Sequence, residues 1–183
     1  IPQFDPFFAA EIPQRPYDPD KARFHIQRAG GLSAPIELSI SDAAFPGATD
    51  AAILFKEHAA KAGIDIQVKR TPTDGYWSEV WLKAPFCGAY WSGKPTADLM
   101  LTNVYTSTSP WNDTAWRRPE FDELLIKARG ELNTERRKRM YHDLQMMIWE
   151  DGGQIVPVFN NWIFAAQPNV AGLARCPVAT GKR

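Results

Sequence analysis

A chain of 183 residues with 44% hydrophobic and 12% aromatic content carries enough apolar surface for one domain with a real core, which excludes a disordered segment. Its 21 basic and 21 acidic side chains cancel and are interspersed, so the chain lacks the electrostatic footprint of a protein that binds DNA, RNA or an anionic membrane. No apolar run approaches the roughly 20 residues of a membrane-spanning helix, and the N-terminus lacks the basic-then-apolar layout of a signal peptide.

Ile1 opens directly into a segment rich in proline (Pro2, Pro6, Pro13, Pro16), and residues 1–16 therefore read as a connector. The next stretch, Tyr17-Asp18-Pro19-Asp20-Lys21-Ala22-Arg23, closing at Ala29-Gly30-Gly31, predicts a short, self-contained helix. Asp18 suits the cap, Pro19 the first helical position, Asp20 the positive end of the dipole, and Arg28 with Gly30 the exit. Ala22, His25, Ile26 and Ala29 fall on one face.

Ile36 to Ile40 leads into a second helix, with Ala51, Leu54, Phe55, His58, Ala59 and Ala62 at helical spacing and Gly63 as its stop. Ile64, Ile66 and Val68 then alternate as in a half-buried strand. His25 and His58 stand in apolar stripes and read as histidines satisfied at the edge of the core.

Thr73 predicts the cap of a third helix that carries Trp77, Val80 and Trp81 inward and ends at Pro85, with Phe86 to Trp91 as a strand. After a turn at residues 92–96, Leu99 to Thr102 reads as another strand. Asn103 to Arg118 is a long polar and aromatic loop, and its two tryptophans argue against disorder. Phe121, Leu124, Leu125, Ala128 and Leu132 outline a fourth helix. Met140, Tyr141, Leu144, Met147 and Ile148 outline a fifth, opened by Asn133 or Thr134 and stopped at Gly152-Gly153. Ile155 to Phe159 reads as an edge strand because of Pro157, with a turn at Asn160-Asn161 into Trp162 to Ala166. The order predicts an α/β fold, a three-layer lobe with a mixed β-sheet flanked by helices.

Catalytic chemistry is hard to find. His25, His58 and His142 sit on separate helices, no H-E-x-x-H or G-x-S-x-G occurs, and Gly30-Gly31 follows a helix where a phosphate-cradling loop would follow a strand. Cys87 and Cys176 are the only thiols, without metal-ligand spacing; they read as two separate core residues, a disulfide between them being the alternative. Asn112-Asp113-Thr114 matches a glycosylation acceptor. Binding chemistry is better supplied. Tyr90, Trp91, Ser92, Trp111, Asn112, Asp113 and Trp116 combine flat amphipathic rings with polar groups. Trp77, Trp81, Trp149 and Trp162 read instead as core residues.

The wording Y-D-P-D-K-A-R…A-G, the junction Lys61-Ala62-Gly63-Ile64-Asp65-Ile66-Gln67-Val68, Tyr76-Trp77, Tyr90-Trp91-Ser92-Gly93, Trp111-Asn112, Phe121-Asp122-Glu123-Leu124-Leu125, Arg136 to Tyr141 and Ile155-Val156-Pro157-Val158-Phe159 occur in one order. Together they resemble the oligopeptide/dipeptide-binding family of ABC-transporter solute receptors (bacterial extracellular solute-binding family 5), over all but the tail from about Ala174.

The resemblance implies a periplasmic-binding-protein type II-like lobe at residues 17–173, inserted between halves of a missing lobe, with 174–183 as connector or tail. It implies a monomeric periplasmic or extracellular receptor that needs no cofactor, binds a peptide or similar small polar solute by closure of two lobes, and serves an ABC permease. The implied ligand-binding residues are Tyr90, Trp91, Ser92, Lys94, Trp111, Asn112 and Asp113. In related peptide receptors the loop after the matching tryptophan carries an aspartate for the ligand's amino terminus; here Trp91 is followed by Ser92-Gly93-Lys94, and the nearest acid is Asp98. That departure points away from recognition of a free amine. A sensor receptor of the same fold, and after it a hydrolase, are the alternative readings.

Overall fold

The computed structural model describes residues 1–160, 165–167, 169 and 170. The chain divides into two compact units, one of Gln14–Trp91 and one of Ile1–Pro13 with Ser92–Arg183.

In Gln14–Trp91 the elements are α1 (Pro19–Arg28), β1 (Ile36–Ile40), α2 (Ala48–Ala60), β2 (Ile66–Arg70) and the single turn α3 (Tyr76–Glu79). Asp18 caps α1 as expected, accepting the Lys21 amide at 2.8 Å. The exit is a Schellman motif: Gly30 donates to the Gln27 carbonyl at 3.1 Å and Gly31 to that of Ile26 at 2.9 Å. Gly30 stands at φ +89°, a conformation that side chains disfavour. No residue of α1 is buried. Polar ties hold it instead, with the Tyr17 hydroxyl donating to the His58 carbonyl and the Arg23 guanidinium to the Lys61 carbonyl. His25 and His58 are both exposed, not satisfied at a core edge: the helix that carries His25 never enters the core, and His58 meets the exposed Tyr17 ring at 5.2 Å.

β1 and β2 pair in parallel, Ile36 opposite Ile66 through Ile40 opposite Arg70, with α2 as the crossover. A second Schellman motif ends that helix, Gly63 donating to Ala60 at 2.9 Å and Ile64 to Ala59 at 3.1 Å. The buried face of α2 is Ala48 and Ala52, with Phe55 and Ala59 packed beside them, whereas the expected Ala51 and Leu54 are exposed. Small alanines let the helix approach the sheet closely, so the apolar side that wins is the narrow one. Leu38, Ile40, Ala44, Ala48, Ala52, Ile66 and Tyr76 form the core of this unit.

Two expectations are corrected here. The third helix ends at Glu79, well before Pro85, and Thr73 contributes its carbonyl to Tyr76 in place of a side-chain cap. The strand expected at Phe86–Trp91 reduces to one parallel bridge between Ser39 and Cys87, made by Ser39 donating to Phe86 at 3.0 Å and Gly88 donating to Ser39 at 3.1 Å.

The second unit is helical: α4 (Ala97–Tyr105), α5 (Pro119–Gly130) and α6 (Thr134–Asp151). The strand expected at Leu99–Thr102 is the interior of α4. Thr96 caps it by accepting the Leu99 amide at 3.2 Å, and Ala97, Leu101, Val104 and Tyr105 are buried at helical spacing. A short apolar run fits either period, and the cap decides. Asn133 opens α6, accepting the Arg136 amide at 3.0 Å. Phe121, Leu125 and Ala128 of α5 face Tyr141 and Leu144 of α6 in the buried layer, but Leu132 lies beyond α5 and is 91% exposed. Phe7 stacks on Tyr141 at 4.5 Å, and Gln145 of α6 donates to the Phe7 carbonyl at 2.7 Å, which straps residues 1–13 to this unit.

Ile155, Val156, Val158 and Phe159 are exposed and form no strand, because no segment among the described residues offers their backbone a ladder. Asn161, Trp162 and Cys176, and with them the expected turn, the Cys87–Cys176 question and the tail 174–183, lie outside the described residues.

Candidate functional site

Tyr76 is the anchor of an aromatic cluster in the Gln14–Trp91 unit. Its ring fills the core, and its hydroxyl donates to the Gly88 carbonyl at 2.7 Å. Burial, and then the neighbouring Cys87, push its phenol pKa up to about 12. On this base four further rings meet edge to face. Trp77 packs against Tyr76 and Tyr90 at 5.5 Å each and against Trp81 at 5.7 Å, while Trp81 meets Trp91 at 6.3 Å.

Trp77 is 38% exposed and Tyr90 56% exposed, while Trp91 and Trp81 are half-buried. Trp77 and Trp81 are thus members of a surface cluster, not the inward core residues that helical spacing implied. Tyr76, one position earlier, takes the inward place, a choice that packing makes and spacing alone does not. Leu82 follows at φ +64°, exposed, in the left-handed region that a bulky residue disfavours, and so turns the chain directly after the cluster.

The other expected residues belong to the second unit. Ser92 is exposed, Lys94 half-buried, and Trp111 is 48% exposed in the segment between α4 and α5. Asn112 points inward. Its amide nitrogen lies 2.6 Å from the Trp116 carbonyl, 3.3 Å from that of Thr106 and 3.4 Å from that of Tyr105, and its oxygen accepts from the Thr114 hydroxyl at 3.0 Å. One side chain thereby satisfies carbonyls at both ends of the loop. Asp113 accepts from Gln154 at 2.9 Å, and Gln154 accepts the Tyr105 hydroxyl at 2.6 Å. Burial first, and the Asp113 charge second, raise the Tyr105 pKa well above its ordinary value.

Trp116, which composition grouped with the binding chemistry, is a core residue packed edge-on against Phe121 at 5.1 Å. Its indole N–H donates to Asp151 at 3.0 Å, and Arg118 pairs with the same carboxylate. The Trp116 hydrogen bond, then that of Arg118, hold the Asp151 carboxyl below the usual range.

The described residues hold no group of three or more His, Cys, Asp or Glu placed to ligate a metal. An open hollow of about 580 Å³ at Ile126, Gly130, Leu132 and Met140 includes none of the seven expected residues. The chemistry on offer is therefore apolar and aromatic contact from one unit, and an exposed indole over a braced polar loop in the other.

This fold is the type II periplasmic-binding-protein fold, α/β, at the scale of part of one such protein. Over 83% of the chain it superposes on 31% of the periplasmic binding protein DppA from Helicobacter pylori, solved with the peptide STSA, at a TM-score of 0.71 and 20% identity. HbpA2 from Haemophilus parasuis gives a TM-score of 0.67 at 18% identity, over 80% of this chain and 30% of that one. The oligopeptide-binding protein AppA from Bacillus subtilis, solved with a nonapeptide, gives 0.66 at 15% identity, over 81% and 33%.

In sequence the chain is 29% identical to heme-binding protein A of Haemophilus influenzae, over 91% of its own length and 32% of that protein's. No family model matches the chain. It spans about a third of the relatives it matches.

Proposed function

We propose that residues 17–173 are the inserted lobe of a periplasmic or extracellular solute receptor for an ABC importer, flanked by connectors at 1–16 and 174–183. The lobe binds a peptide or similar small polar solute when a second lobe closes over it, without cofactor or catalysis. The observation that carries this reading is the cluster Trp77, Trp81, Tyr90 and Trp91, rings left partly exposed in a fold shared with two proteins solved with bound peptides.

Closure moves a solute from water onto fixed rings and hydrogen-bonding groups, and the closed form is the one a permease would engage. Tyr90 and Trp91 supply apolar contact from their unit. Trp111 and Ser92 are exposed candidates in the other, and Asn112 and Asp113 shape the segment that carries Trp111. Lys94 stands where related peptide receptors place an acid, so the solute group there is neutral or anionic.

A second reading, heme as the cargo, is favoured by the 29% identical relative and by the flat rings. Native mass spectrometry and absorption spectroscopy of the full-length receptor separate the two. Co-purifying peptides support the first and a Soret band the second. A receptor that carries neither, and shows no thermal shift with a peptide library or hemin, overturns both. Lys94→Asp in the same receptor shifts preference toward cationic peptides; an unchanged preference removes Lys94 from the site.

A further inference from the structure

Trp81 meets both Trp77 and Trp91. Trp77 meets it at 5.7 Å and an interplanar angle of 78°, and Trp91 meets it at 6.3 Å and 66°. Tyr90 joins the row through Trp77, and buried Tyr76 fixes the row to the core. Edge-to-face contact sets each ring at a steep angle to its neighbour, 80° between Trp77 and Tyr90, 78° between Trp77 and Trp81 and 66° between Trp81 and Trp91. Such a surface offers aromatic guests the same edge-to-face partners that its own rings use. Aliphatic groups gain area burial from it but not the quadrupole term.

The single turn α3 carries Trp77, Trp81 follows its C-cap Val80, and Leu82 next to it stands at φ +64°.

We propose that Trp81 is a positioning residue that joins Trp77, Tyr90 and Trp91 into one wall and so selects solutes carrying a flat aromatic group. The inference rests on the solute-receptor reading for its biological meaning, while the wall itself is testable without it.

The full-length receptor, Trp81→Leu and Trp81→Phe are titrated with indole, and the side-chain N–H resonances of Trp77 and Trp91 are followed by NMR. In the parent and in Trp81→Phe both resonances shift with a single dissociation constant. In Trp81→Leu they shift with different constants or only one responds, at an unchanged melting temperature. The same three proteins are titrated by calorimetry with Ala-Ala-Ala and Ala-Phe-Ala. The parent favours the phenylalanine peptide by roughly three- to tenfold, Trp81→Phe keeps the preference, and Trp81→Leu loses it, the ratio of the two affinities being the readout.

Indole that leaves both resonances unmoved in the parent overturns the wall. A Trp81→Leu protein that keeps the joint response or the peptide ratio, or that weakens both peptides equally, overturns the role of Trp81. Joint indole shifts with no binding of either peptide support the wall and count against peptides as the solute.

Discussion

Arg23 donates from Nη2 to the main-chain carbonyl of Lys61 at 2.6 Å, so a side chain of α1 closes the exit of α2. The last carbonyls of a helix have no partner within it, and here Tyr17 and Arg23 take two of them, those of His58 and Lys61. Asp20 orients the same guanidinium at 2.7 Å. Arg23→Ala is expected to cost about 1 kcal/mol, less than a buried charged hydrogen bond because the site is exposed. Arg23→Lys recovers less than half of it, since one ammonium cannot span both partners in the fork geometry. Urea midpoints at constant slope measure this.

Gly88 lies against the core. A methyl group there would sit 2.1 Å from Cδ1 of Ile40, which is itself buried in the sheet. Gly88→Ala is expected to destabilise by about 1–3 kcal/mol through overpacking. Ile40→Val removes the clashing atom, so the double variant is more stable than the two single effects added. Strict additivity in a double-mutant cycle would show that the chain moves aside at no cost.

Two phenols in different units titrate late. Tyr76 is raised to about 12 by burial and then Cys87, and Tyr141 to about 12 by burial and then Asp98. In the unfolded chain both ionise near 10. A folded pKa above the unfolded one means that these groups stabilise fully below pH 10 and lose that contribution as pH rises through 12. Stability is therefore expected to fall between pH 10 and 12, with phenolate absorbance at 295 nm for these two tyrosines appearing only as the fold melts. Tyr76→Phe flattens the slope. An early, complete phenolate titration in folded protein would contradict the assignment.

Trp111 and Asn112 are neighbours with opposite expected phenotypes. Trp111 is 48% exposed, so Trp111→Ala is expected to leave the melting temperature nearly unchanged while weakening solute binding in the full-length receptor by about 1–3 kcal/mol, as aromatic contact residues do. Asn112→Ala withdraws a donor from buried loop carbonyls and is expected to cost about 1–3 kcal/mol of stability. Calorimetry and thermal melts on both variants distinguish a contact from a brace.

Much of the fold was legible where a local rule decides it. Asp18, Pro19, Gly30, Gly63 and Asn133 mark helix ends through their own caps and positive φ, and the structure places those ends accordingly. The period of the apolar residues was less decisive. Leu99 to Thr102 is too short to distinguish helix from strand without weighing the Thr96 cap. The α2 stripe caught Phe55, Ala59 and Ala62 but took Ala51 and Leu54 in place of Ala48 and Ala52, which are small and carry little weight in a hydrophobic pattern. At the candidate site, residue type flagged Tyr90, Trp91 and Trp111, but Trp77 and Trp81 looked like core, since tertiary packing and not spacing puts Tyr76 inside in their place.

The Asn112 amide, which reaches toward three main-chain carbonyls, makes the loop depend on a single nitrogen. Spontaneous deamidation replaces that nitrogen with an oxygen of nearly the same size, turning a donor into a charged acceptor aimed at groups that only accept. Shape would be kept and sign reversed, so an ageing preparation would accumulate a population one mass unit heavier (about 1 Da, from the exchange of an amide for an acid) in which the Trp111 segment has come apart from within.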